Sequence, residues 1–332
     1  MDKVRIGVIG IGWFGEMHVM TYQGVVNAQV TAICTRTQSR LKDIAAKYNV
    51  EKTYTDYHDL LADPDIDMVS ICTHAPDHLE PMLAAIASGK HILLEKPMAI
   101  TLEECDKIME AAKNAKQNIM VGHICRFENN YAIAKQQIDE GRIGDVLSIY
   151  SRRNINGEFA VPHLDKLSSV TGDAVHDIDL MNWMIGKKVT SVYTMALNPR
   201  KLPNYDVGWV NLRYGPDTVA VAESLWSLPA ATPFAIDARM EILGTEGVIY
   251  VNETNTPLVI DDKNGRQIGE TVYWPTVHGN ITGALHNELA YFVQCIVDGK
   301  RPDIVPLEES RYVIEVTSAA EKSAQTGEIV YL

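Results

Sequence analysis

No apolar run in this chain approaches the length of a membrane span. No block of lysine or arginine stands out, and the formal net charge is −13. That balance argues against nucleic acid or an anionic membrane as a partner. Cysteine is sparse: five residues (Cys34, Cys72, Cys105, Cys125 and Cys295), scattered and odd in number. None forms a Cys-x-x-Cys pair, so a reducing cytoplasm fits best, with most of the thiols acting as small buried hydrophobes. Repeats and low-complexity tracts are absent. What remains is ordinary globular composition, 46% hydrophobic and 22% charged over 332 residues, enough for two domains with ample core.

The chain opens on a β-branched apolar run, Val4 to Ile9, that ends in Gly10-Ile11-Gly12-Trp13-Phe14-Gly15. This is Gly-x-Gly-x-x-Gly between a strand pattern and an amphipathic stretch, the context a dinucleotide-binding turn needs. Gly10 suits the tight turn, Gly12 the close approach of a pyrophosphate, and Gly15 the packing of the next helix. The diphosphate would sit at that helix N-terminus, where free N–H groups and the dipole favour an anion. Trp13 and Phe14, between the glycines, are counted with the cofactor contacts. A glycine-rich turn with no ligand is the plainer alternative. Glycines on this spacing also argue against a signal peptide.

Residues 1–122 alternate strand and helix signals, the βαβ pattern of a parallel sheet. Strand-like runs are Val4–Ile9, Val30–Cys34, Met68–Cys72, His91–Leu94 and Ile119–Val121. Thr101 and Glu104 stand at the reciprocal positions of a capping box. After Gly122 the pattern changes. Residues 123–332 read as an α+β domain. Helices are expected at Asn129–Glu140, Asp173–Ile185, about 281–298 and about 307–324, with a run of strands between 189 and 251. Strands without intervening helices suggest a large, open, mostly antiparallel sheet. Its uncovered face would be closed by self-association, as a homodimer or a homotetramer.

An acidic residue near 20 positions past the glycines usually holds the ribose 2′-hydroxyl and selects NAD. Thr35 stands 20 residues after Gly15, and no carboxylate lies in Cys34-Thr35-Arg36-Thr37-Gln38-Ser39-Arg40. The hydroxyls, with Arg36 and Arg40, suit a 2′-phosphate, so NADP is expected over NAD. Solvation of the next helix is the alternative role for both arginines.

Three further segments carry chemistry. His91 to Pro97 is an apolar strand ending in Glu95-Lys96-Pro97. Ligands of open α/β sheets bind beyond the carboxyl ends of strands, so Lys96 is placed to hold a substrate oxygen. The alternative is a surface pair between Glu95 and Lys96. In Gly172 to Leu180, helical spacing puts Asp173, His176 and Asp179 on one face. His176 then suits a general base oriented by Asp173, unless Asp173 merely caps the helix and His176 is a core histidine. A metal reading (His163, Asp165, His176, Asp179) lacks zinc-motif spacing, and no metal is expected. The loop Thr73 to His78 follows another strand, so Thr73 and His74 are expected at the cofactor, with His78 in the next helix's first turn. Residues 154–170 are irregular and polar, a candidate substrate loop, with Arg153, Asn154, His163 and Asp165 as candidate contacts.

Taken together, Gly10–Gly15, Thr73–His78, Ala87–His91 with Glu95-Lys96-Pro97, Gly122–Phe127, Gly141–Gly144 and His176–Leu180 resemble the glucose–fructose oxidoreductase/inositol dehydrogenase (Gfo/Idh/MocA) family. The resemblance covers nearly the whole chain. It implies a Rossmann domain, a C-terminal domain with a large open sheet, and NAD(P)-dependent oxidation or reduction of a sugar, cyclitol or related hydroxyl compound. It assigns catalytic roles to Lys96 and His176, and cofactor contact to Glu95 as well as Lys96. Many members carry an acidic residue four before the histidine. Here that position is Gly172, and Asp173 is its nearest substitute. The same motifs also fit a glycosidase that uses bound cofactor without net redox, or a non-catalytic NADP-binding regulator.

Overall fold

The computed structural model describes residues 3–160, 166–252, 258–263 and 265–332. Its contacts divide the chain into two compact units: Met1–Phe127 with Tyr273–Arg311, and Glu128–Val272 with Tyr312–Leu332.

The first unit is built on a parallel sheet. Its strands are β1 (Val4–Ile9), β2 (Ala28–Cys34), β3 (Lys52–Tyr54), β4 (Met68–Ile71), β5 (His91–Glu95) and β6 (Ile119–Gly122). Their order is β3-β2-β1-β4-β5-β6. Helices α1 (Trp13–Tyr22), α2 (Gln38–Tyr48), α3 (Tyr57–Ala62), α4 (Leu79–Ser88) and α5 (Leu102–Ala112) connect them. The strands are apolar because helices cover both faces. Ile6, Val8, Met68, Val69, Ile71, Ile92, Leu93 and Leu94 are fully buried. Strand order reverses between β1 and β4, so a crevice opens beyond their carboxyl ends.

The capping box at α5 is half formed. Thr101 Oγ1 accepts the Glu104 N–H at 3.2 Å, and Glu104 lies along the rim of a cavity described below. This unit also takes in residues from late in the chain. The helix Ala284–Val297 joins it because Leu285, Leu289, Phe292 and Val293 are buried against α1 and the turn Ile124–Phe127. Arg126, fully buried, donates to the Ile304 carbonyl at 2.8 Å and to Glu309 at 2.6 Å.

The second unit holds a seven-stranded sheet. Its strands are β7 (Val146–Asn156), β8 (Ser191–Leu197), β9 (Val207–Tyr214), β10 (Thr218–Leu228), β11 (Ile236–Gly244) and β12 (Val248–Asn252). Two short hairpins follow, β13 (Val259–Asp262) with β14 (Gly265–Ile268) and, in the first unit, β15 (Thr276–Val277) with β16 (Asn280–Ile281). The last strand is β17 (Val330–Tyr331), and the order is β12-β11-β7-β10-β9-β8-β17. Among the described residues, only β7 and β10 of this sheet pair in parallel, so it is mostly antiparallel as expected.

One face of this sheet packs on the helix Ala174–Ile185 and on the later turns of the helix Leu307–Thr326, where Ser323 Oγ accepts the Thr194 N–H at 2.9 Å. The other face carries Tyr193, Met195 and Leu197 of β8, Trp209 of β9 and Val219 of β10, all exposed. That is the period-2 alternation of a sheet covered on one side.

Candidate active site

The first unit contains a cavity of about 650 Å³ at the carboxyl ends of β1, β2 and β4. Gly10, Gly12, Thr35, Arg36, Thr73 and His74 are among its lining residues. The three glycines of the opening motif do different things. Gly10 has φ +91°, and a Cβ there would lie 2.7 Å from the Cys72 and Thr73 backbone. A Cβ on Gly15 would lie 2.0 Å from the Gly10 carbonyl oxygen. Around Gly12 nothing lies within 4 Å of that position. Its backbone (φ −77°, ψ −161°) is extended, which any residue adopts, so the empty space rather than the conformation calls for glycine. Gly12 is the N-cap of α1, and open space at a helix N-terminus fits an incoming diphosphate.

Arg40 differs from its expected role. Its guanidinium is tied to Glu16 and donates to the Ile11 carbonyl at 3.2 Å. Glu16 also accepts from Lys47 at 2.8 Å and Tyr48 at 2.9 Å. Arg40 therefore braces the glycine loop against α2, although it lies along the cavity wall. Arg36 is exposed at the cavity, next to Thr35 and Thr37. Trp13 is 54% exposed and stacks edge-on to Trp274, 5.5 Å between centroids. Phe14 meets the same ring and His18. Neither aromatic residue is among those lining the cavity.

Lys96 follows β5 directly, and the Lys96–Pro97 bond is cis. Glu95 is turned inward rather than toward a cofactor. Its Oε1 lies 3.0 Å from Nε2 of the fully buried His18, and its Oε2 accepts the Lys96 backbone N–H at 3.2 Å. Gly122, beside it on β6, has no room for a Cβ, which would lie 2.9 Å from Glu95 Oε1. His78 ties the two loops of this edge. Its ring nitrogens lie 2.8 Å from the Pro97 carbonyl and 3.0 Å from the Thr73 carbonyl. The sequence marks neither His18 nor His78 as site residues. Histidine on an apolar helix face reads as core until its partners are known.

In the second unit His176 is nearly buried on the helix Ala174–Ile185. Asp173 occupies the N-cap position but makes no side-chain cap bond. Its carboxylate instead accepts the indole N–H of Trp226, while its carbonyl accepts the His176 N–H at 3.0 Å. Trp226 also explains Gly172: a Cβ there would fall 2.3 Å from the indole ring. A longer acidic residue at 172 has no space.

Arg153 is not an open substrate contact. It is 2% exposed, and its Nε donates to the fully buried Asp177 at 2.9 Å. Asn154 donates to Glu223 at 2.7 Å, and the Tyr150 hydroxyl donates to the same carboxylate at 2.7 Å. Successive strand residues point to opposite faces, so Arg153 joins the helix side and Asn154 the other. His163 and Asp165 lie outside the described residues. Burial raises the Asp177 pKa and Arg153 opposes it. Burial and Glu223 push the Tyr150 hydroxyl up to about 12.

Known proteins agree with this architecture. Residues 4–123 match the family model of the Gfo/Idh/MocA oxidoreductases' NAD-binding Rossmann fold, and residues 135–332 that of their C-terminal alpha/beta domain. The myo-inositol 2-dehydrogenase of Thermotoga maritima is 28% identical over 99% of this chain and 98% of its own length. The inositol 2-dehydrogenase of Acidothermus cellulolyticus is 30% identical, with 90% and 86% covered. The crystal structure of scyllo-inositol dehydrogenase from Lactobacillus casei, with bound NAD(H) and scyllo-inositol, superposes with a TM-score of 0.86 over 99% of each chain at 21% identity. The glycine cradle, the Glu95-Lys96-Pro97 edge and both domain matches lead to one conclusion: the chain belongs to the Gfo/Idh/MocA family and is an NAD(P)-dependent oxidoreductase.

Proposed function

We propose that this protein exchanges a hydride between a nicotinamide and a secondary alcohol or ketone of a cyclitol, with sugars as the neighbouring substrate class. The observation that carries the reading is the position of Lys96. It leaves the carboxyl end of β5, on the same sheet edge as the dinucleotide cradle. Relatives named inositol 2-dehydrogenase match across nearly the full chain, which favours a cyclitol.

In this reading the bound nicotinamide supplies the hydride acceptor. Gly12 and the first turn of α1 would hold its diphosphate through backbone N–H groups, while the Gly10 N–H stays on the Cys34 carbonyl at 2.9 Å. The Lys96 ammonium donates to the reacting oxygen and stabilises the charge that develops on it. His176 takes the hydroxyl proton. Asp173, fixed at the helix start by the Trp226 indole, orients His176 through its carbonyl. Thr73 and His74 border the cofactor side.

The 2′ position is read by Thr35 and Arg36. The segment Cys34–Arg40 that follows β2 holds no carboxylate, and Arg36 is exposed there at the cavity, which supports NADP over NAD. The exposed apolar face of the large sheet supports a homodimer, or a tetramer made of such dimers. Sedimentation at micromolar concentration would contradict this by returning a monomer. Five free cysteines support a reducing, cytoplasmic setting, which cell fractionation tests. No described helix is long and apolar enough to cross a membrane.

A screen of inositols, sugars and nucleotide sugars with NAD and NADP, read by nicotinamide absorbance, tests the reaction. A cyclitol should give the highest kcat/KM. Cofactor binding with no turnover on any polyol would overturn the proposal.

A further inference from the structure

Behind Lys96 lies a buried polar cluster that the proposed chemistry does not use. His18, Ser70 and Glu288 are fully buried, and Glu95 nearly so. His18 Nδ1 lies 2.8 Å from Ser70 Oγ, and the Tyr22 hydroxyl donates to the same oxygen at 3.4 Å. His18 Nε2 donates to Glu95, whose other oxygen accepts the Lys96 N–H. The chain of contacts therefore runs from α1, the helix that begins at the diphosphate cradle, to the backbone of Lys96. Glu288, on the helix Ala284–Val297 that packs on α1, faces Glu95 and His18. Among the described residues, neither of its carboxyl oxygens has a hydrogen-bond partner.

A buried carboxylate with no partner, beside a second carboxylate, is a costly arrangement. A protonated acid costs less, because the charge is gone and only a neutral polar group remains desolvated. We propose that Glu288 is held as a neutral acid, and that His18 and Glu95 form a positioning pair that fixes Lys96 relative to the cofactor helix. The groups facing this cluster are His18 and Tyr22 from α1, Ser70 from β4, Cys72 beyond it, and Glu95 from β5. Burial, and then Glu95, push the Glu288 pKa well above the carboxylate range, with His18 opposing. Burial works against a charged His18, but Cys72 and Glu95 raise its pKa well above the ordinary value. Glu95 therefore keeps a donor on Nε2 in either charge state of the ring. Gly122 leaves the room that the carboxylate occupies, since a Cβ there would lie 2.9 Å from Glu95 Oε1.

The inference rests on the reading that Lys96 acts in the reaction, so Lys96→Ala is run alongside. His18→Leu should lower kcat at least ten-fold, with the cofactor Kd within two-fold of the parent. His18→Gln, whose amide reaches Glu95 as Nε2 does, should restore kcat to within about three-fold. Equal loss in both variants, or loss in neither, overturns the positioning role. An active Lys96→Ala enzyme instead refutes the proposed function itself. The second measurement needs no turnover. The infrared spectrum of the parent at neutral pH should contain a protonated-carboxyl C=O band that Glu288→Gln lacks. Absence of that band in the parent overturns the neutral Glu288, whether or not the His18 variants fold.

Discussion

Gly12 and Gly15 separate space reserved for a ligand from space already filled by the protein. A methyl group at Gly15 would lie 2.0 Å from the Gly10 oxygen and 3.0 Å from its carbonyl carbon. Carbon atoms in ordinary contact sit near ~3.5–4.0 Å. The loop or α1 would have to move by more than about 1 Å, and both are backbone. Overpacking of this kind costs about 1–3 kcal/mol. For a domain of roughly 150–250 residues, about 2–4 °C per kcal/mol gives a Tm drop of about 2–12 °C in Gly15→Ala. A methyl at Gly12 meets nothing within 4 Å, and the backbone there is extended. Gly12→Ala should therefore keep its stability within about 0.5 kcal/mol. Its cofactor Kd should rise at least about ten-fold, or about 1.4 kcal/mol, because the methyl fills the approach of the diphosphate. Differential scanning calorimetry without cofactor and a fluorescence titration with cofactor give both numbers. Wild-type cofactor affinity in Gly12→Ala, or wild-type stability in Gly15→Ala, would refute the reasoning.

Three other outcomes follow from the same structure. Arg36→Ala should weaken NADP about 10- to 160-fold, the value of a charged hydrogen bond of ~1.5–3 kcal/mol, and leave NAD nearly unchanged; equal effects on both cofactors would remove Arg36 from the 2′ site. Asp177→Ala leaves the buried Arg153 without its carboxylate and should cost about 3–5 kcal/mol by urea denaturation, most of it recovered in Arg153→Met/Asp177→Leu. The Lys52 bond draws the Asp63 carboxyl down to about 2, with the Asp65 N–H and the Tyr54 hydroxyl assisting and burial opposing. Since the folded pKa lies below the unfolded one, that stabilisation is complete above the ordinary carboxylate range and fades as pH falls through about 2. Asp63→Asn should flatten that acid limb in a pH series of Tm values, and an unchanged limb would refute the assignment.

The sequence reads well wherever one local rule decides the outcome. Apolar strands, the glycine spacing and the Glu95-Lys96-Pro97 edge are such cases. So is the helix Ala174–Ile185, closed by Gly186 at φ 67°. It reads poorly where distant residues decide. Arg153 looks like a substrate contact until Asp177, 24 positions away, is seen to hold it. The bond between the Asp173 carboxylate and Trp226, 53 positions away, is not visible in the local pattern. Arg40 lines the cavity, but its pairing with Glu16, 24 positions away, is not visible in the local pattern. The helix Ala284–Val297 returns to the first unit because its apolar face fits α1, a match that no local pattern announces.

In the proposed reaction Lys96 acts on the reacting oxygen rather than on the cofactor. The direct measurement is kcat of Lys96→Ala on the best cyclitol, together with its cofactor Kd. kcat should fall about 10²- to 10⁴-fold, with cofactor affinity nearly intact. Turnover within ten-fold of the parent, or a loss explained entirely by weaker cofactor binding, would contradict it.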